Sequence, residues 1–137
     1  MLVYLCFLKQ QNMKDSLAHL HLICEDWKRE LDFFKIEIAY LRKRLEEIAS
    51  KNTSMDVLKH VEHFENKFSI MAIHVDELYH DVHLKNEALL KEAAKKPMYI
   101  NVKMIASDEN LIDLMSDTSA DFHATKIEFY RFLSNVM

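Results

Sequence analysis

The sequence predicts an all-α fold, an up-down-up bundle of three long antiparallel helices built on a coiled-coil hairpin. Two observations carry that reading. Leu17, Leu20, Cys24, Trp27, Leu31, Phe34, Ile38, Leu41, Leu45 and Ile48 fall at alternating spacings of three and four. Val57, Val61, Phe64, Phe68, Met71, Val75, Leu78, Val82 and Leu89 repeat the rhythm. Apolar residues every 3.5 positions line one helix face, and that seam needs other helices to cover it. A third observation narrows the fold. The 137 residues include no glycine and one proline, Pro97. Tight hairpins and phosphate-cradling loops need glycine for positive φ or close backbone approach, so P-loop and Rossmann sites are excluded and a sheet-rich fold is disfavoured.

The first helix is expected from about Lys14 to Ser50. Asn12 followed by Asp15 marks its start, and Glu25–Arg29 and Glu47–Lys51 are favourable i,i+4 pairs. Residues 50–54 are short and polar, so the chain turns tightly there. Thr53 with Asp56 reads as the next helix cap. The second helix runs from about Ser54 to Lys96 and stops before Pro97, because a residue preceding proline avoids the α region. Folding the hairpin about Asn52 sets Trp27 near Glu77 and Leu78.

Residues 97–107 read as a crossover connection. Ile100, Val102 and Met104 alternate, but a lone strand has nothing to pair with. Ser107 or Asp108 then starts the third helix, with a stripe of Leu111, Met115, Thr118, Phe122, Thr125, Phe129, Phe132 and Val136. The whole of 1–137 forms one domain. Residues 1–13 are either an upstream extension or part of helix one, since Val3, Cys6 and Met13 continue its register. The apolar start lacks a basic region and a cleavage site, so it does not read as a signal peptide, and it is too short to span a membrane.

The net charge of −4 with both signs interspersed leaves no clustered basic footprint, so nucleic acid is not an expected partner. Cys6 and Cys24 make no disulfide framework, and a reducing cytoplasm is the expected setting.

Histidine is the one enriched chemical type. Glu77 and His80 have the Glu-x-x-His spacing that ferritin-like and other di-metal carboxylate bundles project inward. That motif occurs once, on the outer flank of its helix, and Glu25, Glu30 or Asp121 would have to complete it. Asp76, His80, His83 and Glu87 share one stripe and could take Zn²⁺ or Ni²⁺ at the surface, although an ordinary polar flank uses the same spacing. His123-Ala-Thr-Lys126 resembles the His-x-x-Lys segment of histidine phosphotransfer domains, which are also helical bundles. Such domains carry a small glycine just after the lysine, where this chain has Ile127 and Glu128. Lys85 falls on a seam position, with Asn86 beside it.

Trp27, Phe34, Phe64 and Phe68 are too bulky for a two-stranded coiled coil and suit a wider bundle. Phe33, Ile36, Tyr40 and Tyr79 widen the apolar faces beyond the seam. Three unequal helices leave such residues uncovered, which points to a homodimer closing a larger bundle. The expected role is structural: a cytoplasmic, self-associating interaction protein with no catalytic activity, no cofactor, a possible protein partner and no membrane contact. The alternatives are a metal-binding bundle and a phosphotransfer-like bundle.

Overall fold

The computed structural model describes residues 17–95 and 102–136. They form three helices, α1 (Leu17–Lys51), α2 (Met55–Lys95) and α3 (Val102–Val136), with no strand among the described residues. No described helix is long and apolar enough to cross a membrane. The stretch before Met13, the Asn12 start signal, Cys6 and Pro97 lie outside the described residues.

The seams are the core. From Cys24 to Ile48 every α1 seam position is buried, with Leu31 fully so. On α2, burial runs from Phe64 through Leu89, while Val57 and Val61 are partly covered near the start. On α3, Leu111, Met115, Thr118, Phe122, Thr125, Phe129 and Phe132 all face inward. The aromatics meet as a layer. Phe129 stands edge-on to Phe64 and Phe68, each with centroids 5.2 Å apart, and Phe132 lies 5.3 Å from Phe64. Further along, Phe34 of α1 meets Phe122 of α3 at 4.5 Å. Burying each such ring is worth roughly 1.5–3 kcal/mol, so these rings are a large part of what holds α3 to the other two helices.

The cross-contacts between α1 and α2 step in opposite senses. Arg42 pairs with Glu65 at 2.8 Å, Lys35 with Asp76 at 3.0 Å, Lys28 with His83 at 3.3 Å and His21 with Asn86 at 2.6 Å. Lys28, next to Trp27, also lies under 6 Å from the Tyr79 ring centroid, at 5.6 Å. The register is therefore about one helical turn further along α2 than a pivot at Asn52 predicts. The link accounts for part of this: its non-helical residues 52–54 centre on Thr53, which moves the register two residues along α2.

The link closes without glycine. The Asn52 amide donates to the Ile48 carbonyl at 2.8 Å, and the Ser50 hydroxyl donates to the Glu47 carbonyl at 2.8 Å. Two carbonyls near the helix end thereby gain side-chain donors. The α2 start differs from expectation by one residue. Leu58 N–H donates to the Ser54 carbonyl at 3.0 Å, so Ser54 rather than Thr53 flanks the first turn. Asp56 sits in that turn, where the helix dipole favours an acid.

Two local ion pairs also differ. Arg29 bonds Asp26 at 2.8 Å and touches only the backbone carbonyl of Glu25, while Glu47 faces Arg44 at 3.9 Å instead of Lys51. Both are i,i+3 contacts on exposed surface, where such choices cost little.

The crossover expected over 97–107 is shorter than the sequence suggested, because α3 already begins at Val102. Met104 and Ile105 stand seven residues before Leu111 and Ile112. The helical period therefore extends upstream, and it outweighs a short two-residue alternation with no neighbouring strand. α1 and α2 run closest together, and α3 approaches α2 more loosely.

Candidate functional site

Polar side chains gather in three places between the helices. The first bridges α1 and α2 at the end away from their link. Asn86, 4% exposed, is its centre. Its amide nitrogen donates to Glu25 at 2.7 Å, which leaves its oxygen to accept from His21 Nδ1 at 2.6 Å. Glu25 also lies 3.8 Å from Lys28. Lys28 Nζ donates to His83 Nδ1 at 3.3 Å, so the His83 proton sits on Nε2 and faces Glu87 at 3.3 Å. Lys85, beside Asn86, is buried as well.

The sequence signal for this cluster was a charge on a seam position. Its true centre is the neighbouring Asn86, with His21 and Glu25 supplied by the opposite helix at a spacing of one turn. Only the correct register brings those three together, so the cluster is not readable from one helix.

The second place lies between the start of α2 and the end of α3. His60 Nδ1 donates to the Asp56 carbonyl at 3.0 Å, and its ring stacks on Phe132 at 5.4 Å. His63 Nε2 donates to Glu128 at 3.1 Å, and Lys67 reaches the same carboxylate at 4.0 Å. His60, His63, Glu128 and Phe132 line an open groove of about 440 Å³ together with Val57, Phe64 and Val136. Further along α2, His74 Nε2 donates to Thr118 at 3.0 Å, because the Thr118 hydroxyl gives its proton to the Leu114 carbonyl at 2.7 Å.

The third place lies between α1 and α3. Lys126 binds Glu37 at 2.9 Å, and this hydrogen bond holds the ammonium above the usual lysine range despite partial desolvation. Its Nζ also sits over the rings of Phe122 and Tyr130, at 5.8 and 5.7 Å. Two turns from Glu37 along α1, burial pushes the Glu30 carboxyl above the usual carboxylate range, against the opposing pull of His123 and the Ser119 hydroxyl. His123 is exposed, its ring edge-on to Phe34 and Phe122.

The proposed metal ligands are divided by this arrangement. Asp76 is tied to Lys35 on exposed surface. Glu77 and His80 face outward. His83 and Glu87 stay together but belong to the first cluster, where Lys28 occupies the His83 lone pair. Glu25, Glu30 and Asp121 go to separate places. Glu25 joins the first cluster and Glu30 the third, while Asp121 lines a shallow groove with His63 and Ile70. Among the described residues no three His, Cys, Asp or Glu side chains converge as a metal site. For phosphotransfer, Lys126 already holds Glu37, and Glu30 stands beside His123. A phosphoryl group there would meet two carboxylates. Cys24 is buried in the seam.

The remaining feature is apolar. Phe33, Ile36 and Tyr40 lie on the α1 face opposite the seam, with Ile36 69% exposed. Ile127 and Tyr130 of α3 are exposed too, and Lys126, which binds Glu37, lies over the Tyr130 ring, so Tyr130 stands near the α1 face. Tyr79 stands apart from this face, because it packs against the core beneath Lys28. Comparison with protein-family models, curated proteins and solved structures found no match.

Proposed function

We propose that this chain is a structural, protein-interaction bundle without catalytic activity, which acts by self-association in the cytoplasm. In this reading the three helices stand up-down-up and antiparallel on a coiled-coil hairpin, and a homodimer is the basic unit. The outward face of α1 carries the reading. Phe33, Ile36 and Tyr40 are 49%, 69% and 53% exposed, although the same helix buries a complete seam on its other side. A helix that is apolar on two opposite faces gains from a second neighbour. The pairing of polar groups supports it as well: Asn86, His83, His63 and Lys126 each hydrogen-bond to partners of their own in separate places rather than aim at a shared reacting point.

Native mass spectrometry of untagged full-length protein tests this. A bare dimer or higher oligomer is expected. A monomer at every concentration would overturn self-association. A stoichiometric metal increment would instead favour the metal-binding bundle, with His83→Ala as the variant to follow.

A further inference from the structure

The charges around the outward face of α1 are arranged so that the face complements itself. Arg29, Ile36, Tyr40 and Glu47 are spaced seven, four and seven residues apart and form one stripe. Asp32 and Lys43 lie together on one flank of that stripe, eleven residues apart. Asp26 and Lys51 lie on the other flank, with Phe33 and Arg44. Ile38 is midway between Arg29 and Glu47 and midway between Ile36 and Tyr40. The flank pairs share that midpoint to within one residue.

We propose that a second copy of this chain docks on this face, α1 against α1 in opposite directions, about a two-fold axis at the level of Ile38. The inference rests on the self-association proposed above and adds its geometry. Ile36 then packs on the partner's Tyr40. Arg29 meets the partner's Glu47, Asp32 meets the partner's Lys43, and Asp26 meets the partner's Lys51. In an antiparallel pair, like flanks face each other, and two-fold symmetry makes each ion pair twice. Phe33 comes under the partner's Arg44 guanidinium, a favourable cation–π arrangement. Tyr130 borders the axis, because Lys126, beneath whose ammonium its ring lies, ties α3 to Glu37 at this level.

The present partners of these charges do not compete strongly. Arg29–Asp26 and Arg44–Glu47 are exposed i,i+3 contacts, with Arg29 72% exposed and Glu47 53%. Exposed pairs of this kind exchange at little cost.

Sedimentation equilibrium of the untagged full chain tests the pairing with Asp32→Lys, Lys43→Asp and the double swap. Circular dichroism confirms that each variant remains helical. Each single reversal sets like charges together twice and is expected to weaken the dimer by about tenfold. The swap restores the pairs and should return the affinity to within about threefold of the parent. A parent chain that never dimerises would end both this inference and the self-association reading. A dimer indifferent to all three variants would leave self-association standing and remove this face. Weakening without rescue by the swap would overturn the two-fold register.

Discussion

Thr118 and Thr125 occupy equivalent stripe positions on α3, and both are buried. Their hydroxyls differ. Thr118 donates to Leu114 and accepts from His74. The Thr125 hydroxyl has no hydrogen-bond partner. Thr125→Val keeps the shape and removes a dehydrated hydroxyl, so it should be neutral or stabilise by up to about 1 kcal/mol in urea denaturation. Thr118→Val should destabilise by about 1 kcal/mol in the same measurement, because His74 loses its acceptor. From the sequence both residues read only as weak points in an apolar stripe. The difference depends on a histidine from another helix, which no spacing within α3 reveals. Glu30 gives a second residue-scale test. Its carboxyl is held above the usual range by burial, so between the ordinary and the raised value the folded state binds more protons than the unfolded chain. Stability therefore falls as pH rises through that window. Glu30→Gln should flatten that slope in thermal melts across acidic pH. It should also raise stability at neutral pH by a few tenths to about 1 kcal/mol, a modest figure because the group is only partly buried.

α1 and α2 share a continuous seam, whereas α3 meets them through aromatic rings and isolated polar bridges. Hydrogen exchange should accordingly show the earliest opening in α3, with α1 and α2 protected near the global limit. The Lys126–Glu37 bridge restrains α3. Because the bridge raises the lysine above its ordinary range, its contribution is complete at neutral pH and disappears only as pH climbs through that raised value. Lys126→Met should cost about 0.5–1 kcal/mol at neutral pH and speed exchange in α3 more than in α1. The helices themselves were readable because their seams are long and periodic. The ends were less so. The start of α3 was obscured by Ile100, Val102 and Met104, a short alternation that a helix starting at Val102 overrides. The cap at Ser54 was missed by one residue because Thr53, its neighbour, has the same capping chemistry.

Across the molecule, cohesion is uneven. Phe64, Phe68, Phe129 and Phe132 gather toward the α1–α2 link, and the Asn86 cluster lies at the opposite end. Asn86→Ala should destabilise the fold by roughly 1–3 kcal/mol, seen as a lower urea midpoint, because Glu25 and His21 lose a buried partner together. Phe129→Ala should cost more, about 3–5 kcal/mol, since it opens a cavity against two other rings. The overall class was legible from seam rhythm and the absence of glycine. The candidate sites were legible only in part. Phe33, Ile36 and Tyr40 are legible in the sequence as surplus to the seam, while Tyr79 lies partly buried against the core. The candidate metal ligands are grouped by spacing along one helix, and that spacing does not reveal that Asp76 and His83 meet Lys35 and Lys28 of the other helix.

The placement of Asn86 also bears on how the chain reaches its native pairing. The seam positions of α1 and α2 that flank the link, Leu45 and Ile48 with Val57 and Val61, are nearest in sequence, so their closure costs the smallest loop entropy and allows the two helices to zip outward. Heptad repeats tolerate slippage, because an aliphatic seam displaced by one repeat still meets an aliphatic seam. At the last turns the zipper reaches Asn86, which finds His21 and Glu25 in one alignment alone. A slipped pair would strand that amide without partners and reopen. The polar cluster thus serves as a proofreading step at the end of assembly, and refolding of Asn86→Leu should show an added slow phase as misaligned hairpins persist.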